Sequence, residues 1–309
     1  MISFLKLIRY KNLLMVLLTM VLTKYALIES FISPSYLTHF QFILLVISVL
    51  CITAGGYIVN DIFDVEADKI NKPNKVFIDV TFAKKNAWRS YFILSFLGLS
   101  LSYQLSLITE NINCFYIFLV TVFGLFLYSI LFKKVLLIGN LIISILVSLT
   151  IYIVYLLDFK YIPNYYLNFN QQTDSTFHFR VWITIILYMI FAFISTLIRE
   201  IIKDLEDING DLKINAKTLP ILIGRKRSIY IINLIVFLSL IFGVIILKSL
   251  LIHNKLLFFY FLFITFIPFI FLAYKLNNVK TKKHYSYLSD LMKLIMCFGI
   301  LSMLLFKFI

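Results

Sequence analysis

Nine apolar runs, at about 12–30, 38–60, 88–106, 113–131, 135–157, 180–199, 229–250, 255–274 and 286–307, constrain this chain more than any other feature. Each is close to the ~20 residues an α-helix needs to cross a bilayer. In hydrocarbon every backbone polar group must find its partner within the protein, so runs of this length fold as helices and not as open sheets. Hydrophobic residues reach 61% and mean hydropathy +0.96, far above the roughly half-apolar norm of soluble domains. Lys24 in the first run and Lys293 in the last make those two limits the hardest to place. Residues 1–30 are basic, then apolar, without a small-residue cleavage site, which reads as an anchor and not a removed signal peptide.

Charge sets the expected orientation. If alternate connections share a side with the N-terminus, that side receives 22 of the 29 Lys and Arg residues. By the positive-inside rule that side is cytoplasmic, an odd number of spans follows, and the C-terminus lies outside. The expected site is an integral membrane location, in a bacterial cytoplasmic membrane. The net charge of +14 would suit nucleic acid, but these cations sit in short membrane-flanking connections, where topology and anionic lipid account for them. No nucleic acid and no obligate protein partner are expected. Cys51, Cys114 and Cys297 lie far apart in apolar runs with no metal spacing, so buried inert thiols are expected. The four histidines are scattered without helical pairing, which weighs against haem or di-iron chemistry. His284 and Asp290 read as an interface pair or as nothing.

Acid is the scarce commodity. Ten of the fifteen acidic residues fall in two regions, around Asp61-Ile-Phe-Asp64-Val-Glu-Ala-Asp68 and Asp204-Leu-Glu-Asp207-Ile-Asn-Gly-Asp211. Each places three Asp at i, i+3 and i+7, on one helical face. Like charges so placed repel unless cations are shared among them. Both clusters end even-numbered spans, so both point the same way, and both belong to polar stretches of about 61–87 and 200–228, expected as Asp-rich loops of a single polytopic domain over 1–309. A third polar stretch, about 158–179, reads as a connecting loop. Glu66 and Glu206 point off the triad faces and read as solvated. Ala54-Gly55-Gly56, one turn before Asn60, would let neighbouring helices approach closely.

Hard divalent cations such as Mg²⁺ bind carboxylate oxygens and bridge to substrate phosphates. Asp61, Asp64 and Asp68 with Asp204, Asp207 and Asp211, facing one cavity, would grip a diphosphate through magnesium. On an allylic prenyl chain such binding makes the diphosphate a better leaving group. Lys72, Lys75, Lys133, Lys134, Arg199 and Lys203 would neutralise the remaining phosphate oxygens. Tyr57 and Tyr128 stand out among the aromatics as candidates to face a developing cation. Two plainer readings compete. One takes the acids as solvated helix ends, the other as the ion path of a carrier; a carrier, however, would place acids at mid-span beside broken helices.

Asn60-Asp61-x-x-Asp64-x-x-x-Asp68 followed by Lys-Ile-Asn-Lys-Pro-Asn-Lys at 69–75 resembles the first signature of the UbiA superfamily of intramembrane prenyltransferases. Arg199-Glu-Ile-Ile-Lys-Asp204-Leu-Glu-Asp207-Ile-Asn-Gly-Asp211, then Lys217-Thr-Leu-Pro-Ile-Leu-Ile-Gly224, resembles the second. The resemblance implies an all-α bundle of nine transmembrane helices around one central cavity. It implies Mg²⁺ and diphosphate at Asp61, Asp64 and Asp68 with Asn60, and at Asp204, Asp207 and Asp211. Tyr128 and Lys133 look like diphosphate-side residues, and Asn12 like a polar position near the acceptor. The motif wording is similar to that of digeranylgeranylglyceryl phosphate synthases and, in its first part, chlorophyll synthases. The implied reaction moves a geranylgeranyl chain from its diphosphate to a lipophilic acceptor, geranylgeranylglyceryl phosphate. An aromatic prenyltransferase of quinone synthesis, acting on a naphthoate or benzoate, remains the alternative, and an ion-coupled carrier the distant one.

Overall fold

A computed structural model describes residues 2–31, 36–73, 76–158, 171–279 and 281–308. Among them are nine helices long and apolar enough to cross a membrane: α1 Tyr10–Phe31, α2 His39–Asn71, α3 Lys84–Ile108, α4 Ile112–Ile130, α5 Ile138–Asp158, α6 Phe179–Lys213, α7 Arg225–Ile252, α8 Lys255–Asn277 and α9 Lys282–Phe308. The expected spans are all present. Lys75, and residues 159–170 of the third polar stretch, lie outside the described residues; from Gln171 the chain is already helical.

The two acidic stretches differ from expectation at their starts. Residues 61–71 and 200–213 are not loops: α2 and α6 run straight through both Asp motifs. A helix stacking three carboxylates on one face survives only if other elements supply compensating charge, and they do, as described below. α2 begins at a capping box, in which the Thr38 side chain accepts from Gln41 N–H and the Gln41 side chain accepts from Thr38 N–H. Such reciprocal caps stabilise a helix start by roughly 1 kcal/mol.

Packing follows the small residues. A Cβ on Gly55 would meet Ser95 and Tyr91 of α3, and one on Gly56 would meet Leu125 of α4, so α2 lies close against both neighbours. One apolar core joins α1, α2, α5 and α6 in the half of the bundle away from the Asp motifs, and a second joins α6, α7, α8 and α9. Phe92, Phe96, Phe123, Phe237 and Ile245 are exposed, and in a bilayer such side chains face lipid. Lys24 sits in a π-helical turn, Thr23–Ile28, and is fully buried with Asp158. Its ammonium donates to Asp158 (3.1 Å) and to the Leu37 carbonyl (2.8 Å), while Leu37 N–H donates to the other Asp158 oxygen (2.8 Å). Lys24 therefore belongs inside the span, as an internal tie. The three thiols are free, with no disulfide.

Candidate functional site: a cavity with a carboxylate and cation head

The ends of α2 and α6 are fastened together. The Asn71 side-chain amide donates to the Asp207 carbonyl (2.8 Å) and accepts from Gly210 N–H (2.9 Å). A Cβ at Gly210 would run into the Asn71 side chain and the Ala67 carbonyl, so only glycine allows the contact. Glycine in a helix interior costs about 1 kcal/mol relative to alanine, and this close approach is its reason. Lys282, at the start of α9, donates to the Asn71 carbonyl (2.6 Å), capping α2 with positive charge where the helix dipole favours it.

Each Asp triad is then met by groups from other parts of the chain, and Asp64 also by Asn60 of its own helix. Arg9 donates to Asp61 at 2.6 Å and lies 5.0 Å from the centre of the Tyr57 ring. Lys133 reaches Asp64 at 2.5 Å, with 8% and 19% of the two side chains exposed, and Asn60 donates to the other Asp64 oxygen at 2.7 Å. Lys72 reaches Asp207 at 2.5 Å, and Asn140 donates to Asp204 at 2.8 Å. Asp68 and Asp211, half-buried, complete the two triads; Asp211 is near enough to Asp64 for their charges to interact across the two helices. Burial works against the charge on Arg9 and on Lys72, but Asp61 and Asp207 beside them outweigh it, so both cations titrate above their ordinary values. Both remain charged at neutral pH.

Local structure explains how Lys133 arrives there. It sits in the 3₁₀ turn Phe132–Lys134 between α4 and α5. Gly139 packs against that turn with no room for a side chain, and Lys217 N–H donates to the Lys134 carbonyl (2.8 Å). The chain just beyond the second motif thereby holds the cation that serves the first.

Above these groups lies a cavity of about 270 Å³. Its head is polar, lined by Arg9, Asn12, Tyr57, Asn60, Tyr128, Arg199, Glu200 and Lys203. Its tail is apolar, with Ile52, Phe118, Leu125, Leu146, Ile153 and Ile300 among the walls. Thr19, Thr53, Thr121 and Thr150 also line it, yet each hydroxyl donates to a carbonyl of its own helix. Glu200 holds two of the head cations, Arg199 at 2.6 Å and Lys203 at 3.0 Å. Of the residues singled out from the sequence, Asn12, Tyr57, Asn60, Tyr128, Arg199 and Lys203 reach the cavity wall, while Lys72 and Lys133 join the Asp motifs beneath it. Glu66 is exposed as expected, but Glu206 is half-buried. Sequence reading missed Arg9 and Asn140 as carboxylate partners, the Asn71–Gly210 clamp, and Glu200. A polar Asn140 in an apolar span, and a glycine inside a helical motif, were the available signals. Asp290 pairs with Lys293 at 2.8 Å, one helical turn along α9.

The donors suit a hard cation shared with a ligand. Among the described residues no three His, Cys, Asp or Glu side chains converge on a single point that could hold a metal ion. Asn60 Oδ1 and Asp207 Oδ1 are nevertheless buried acceptors without a hydrogen-bond partner, and Arg199 Nε is a buried donor without one. Unmet acceptors beside carboxylates fit Mg²⁺, which commonly takes one or two protein carboxylates and completes its shell with water and substrate phosphate. An unmet guanidinium donor fits a phosphate oxygen.

A helical membrane bundle whose cavity joins an apolar tail to a head of paired carboxylates and cations is built to hold a long amphipathic molecule with an anionic end. The chain belongs to the UbiA prenyltransferase family, which it matches over residues 13–295. It is 34% identical to the digeranylgeranylglyceryl phosphate synthase of Saccharolobus solfataricus over 222 residues, 72% of this chain and 70% of that one. It is 32% identical to the enzyme of the same name from Sulfurisphaera tokodaii over 202 residues, 65% of this chain and 64% of that one. The match thus spans somewhat under two thirds of the latter relative's length. A solved structure of a digeranylgeranylglyceryl phosphate synthase superposes with a TM-score of 0.63 at 26% identity, covering 99% of this chain and 98% of that one. An Archaeoglobus fulgidus UbiA homologue bound to DMAPP and Mg²⁺ superposes with a TM-score of 0.60 at 16% identity, covering 97% and 99%, a likeness of fold.

Proposed function

We propose that the chain is a Mg²⁺-dependent intramembrane prenyltransferase that moves a geranylgeranyl group from its diphosphate to geranylgeranylglyceryl phosphate. The observation that carries this reading is the make-up of the cavity: its polar head is lined by Asn60 and Arg9, which bond Asp64 and Asp61 of the first triad, and by Lys203, next to Asp204 of the second, while its tail is apolar. The named relatives support the choice of acceptor. Family membership sets aside the carrier.

Asp61, Asp64 and Asp68 with Asn60, and Asp204, Asp207 and Asp211, would hold Mg²⁺. The metal supplies charge neutralisation of the leaving diphosphate. Lys72 and Lys133, each paired with a motif carboxylate, would turn to the phosphate oxygens of the bound diphosphate. Arg199 and Lys203, held by Glu200, face the same head from α6, and Tyr128 lines it from α4. The allylic carbon–oxygen bond breaks with its electron pair leaving on diphosphate. The acceptor hydroxyl oxygen bonds that carbon, and its proton passes to the departing diphosphate. The apolar walls exclude water from the cation, and the Tyr57 face lines its path. Asn12 stands on the acceptor side. The positive-inside count supports a cytoplasmic N-terminus and cytoplasmic Asp motifs.

The test uses purified protein with labelled geranylgeranyl diphosphate, with and without Mg²⁺, against geranylgeranylglyceryl phosphate, dihydroxynaphthoate and 4-hydroxybenzoate in parallel. The expected result is metal-dependent ether product with the first acceptor alone. Product with an aromatic acceptor alone would overturn the acceptor assignment, and metal-independent transfer would overturn the mechanism.

A further inference from the structure

α9 carries a charged pair far from its ends. Lys293 is eleven residues beyond Lys282, about 16 Å along the helix, and Lys282 touches Asn71 at the Asp end of α2. Asp61 lies ten residues back from Asn71 along α2, and Arg199 eleven back from Gly210 along α6, about 15 and 16 Å by the same rise. Lys293 is thus about as far along its helix from these contacts as Asp61 and Arg199 are along theirs. Ionisable residues at such depth are costly and mark function more often than structure.

The helical face explains where the ammonium stands. Lys293, Met296 and Ile300, at i, i+3 and i+7, line the cavity, whereas Tyr287, Asp290 and Leu294 face outward. Lys293 is 47% exposed and Asp290 68%. Lys293 is thus on the rim, with one side on the cavity and the other on the bilayer, and Asp290 draws its ammonium toward the Asp side. The other cations of the head are already committed: Arg9 to Asp61, Arg199 and Lys203 to Glu200, and Lys133 and Lys72 to the two motifs. Lys293 lines the same cavity from α9, which packs against α6, and its partner is a rim carboxylate outside both triads.

Transfer between two phosphorylated lipids needs two anion subsites, and the diphosphate takes the first. We propose that Lys293 is the acceptor's headgroup anchor: it binds the phosphate monoester of a lipid entering sideways past α9, with Asp290 holding the ammonium at the rim until that phosphate replaces it. A phosphate near neutral pH carries more charge than a carboxylate and offers three acceptor oxygens, so it displaces Asp290 from Lys293. This inference rests on the acceptor assigned above, and it adds the residue that selects a phosphorylated acceptor over a neutral one.

The experiment compares the unaltered protein with Lys293→Gln and Lys293→Arg in zwitterionic nanodiscs. Acceptors are geranylgeranylglyceryl phosphate and the same lipid without phosphate. A charged contact at a half-exposed ammonium contributes up to about 1 kcal/mol, so Lys293→Gln should raise KM for the phosphorylated acceptor by about fivefold. KM for the diphosphate and the Mg²⁺ requirement should stay put, the neutral acceptor should be used equally by both proteins, and Lys293→Arg should recover most of the loss. An unchanged KM, or an equal loss with the neutral acceptor, would overturn the proposal. A second readout does not depend on turnover: thermal stabilisation by the phosphorylated lipid, present in the unaltered protein and lost in Lys293→Gln. If no acceptor is turned over yet this stabilisation behaves as expected, the reaction assigned above fails while the phosphate subsite stands. If anionic phosphatidylglycerol stabilises equally, or if the unaltered protein is not stabilised, the subsite fails.

Discussion

Lys133→Met keeps the length and apolar stem of the side chain and removes only its charge, so it isolates what the ammonium does. In the structure that ammonium contacts Asp64 at 2.5 Å from a turn held by Gly139 and Lys217, with 8% of the side chain exposed. Two consequences separate. For stability, one half-buried ion pair is lost; the remaining Asp64 oxygen still has Asn60, so the cost should be only about 1 kcal/mol, near the upper range of partly exposed pairs. For catalysis, the lost donor faces a leaving diphosphate whose charge grows as the bond breaks. Removing one such preorganised donor typically lowers kcat by roughly 10²–10³. The expected outcome is therefore a nearly unchanged melting temperature with kcat/KM down about a hundredfold or more, measured by pyrophosphate release in a single turnover. Freed of its competing cation, Asp64 should also bind Mg²⁺ no less tightly, so half-activation should occur at equal or lower metal concentration. Activity within threefold of the unaltered protein would refute the assignment of Lys133 to the diphosphate. A collapse in melting temperature would instead make Lys133 a structural tie.

Asp64→Ala and Asp207→Ala should each abolish transfer while the protein still inserts and purifies as a folded species; full activity in both variants would sink the metal-diphosphate mechanism. Gly210→Ala should lower the melting temperature, because crowding against Asn71 and the Ala67 carbonyl costs about 1–3 kcal/mol and exceeds the ~1 kcal/mol gained in helix propensity; a rise on thermal denaturation would show that the two helix ends are not in contact. Lys24→Met should destabilise by about 3–5 kcal/mol by stranding the buried Asp158 charge, and the pair Lys24→Met with Asp158→Asn should regain most of it; if the double variant is as unstable as the single, the tie is not ionic.

What was legible in the sequence was whatever one helix carries on its own. Spans announce themselves through about 20 consecutive apolar residues, and the i, i+3, i+7 carboxylates needed only the helical repeat. Partners brought from elsewhere were not legible. Arg9 meets Asp61 from 52 residues away, and Asn140 meets Asp204 from 64; the register that pairs them exists only once α1, α2, α5 and α6 have packed. The same blindness shortened α2 and α6, since stacked Asp residues read as a helix end until the cations that neutralise them are in view. Lys24, inside the expected first run, made only its limit hard to place, for the opposite reason. A charge in an apolar run reads as a boundary, but here Asp158 and the Leu37 backbone satisfy it within the span. Gly210 was a readable hint, because a glycine inside a charged helical motif needs a neighbour to justify it, although nothing local says that the neighbour is Asn71.

That clamp turns the gap between the two triads into a gauge. With α2 and α6 fastened backbone to side chain at Asn71 and Gly210, the spacing of the carboxylate sets is held by direct hydrogen bonds between the two helices, not by flexible connections. A diphosphate has one size whatever chain it carries, so a fixed gauge measures the constant part of every donor. The variable part is left to the far end of the cavity, where the walls are ordinary apolar side chains. Mutations that retune chain length can therefore accumulate there without disturbing the calibration of the head.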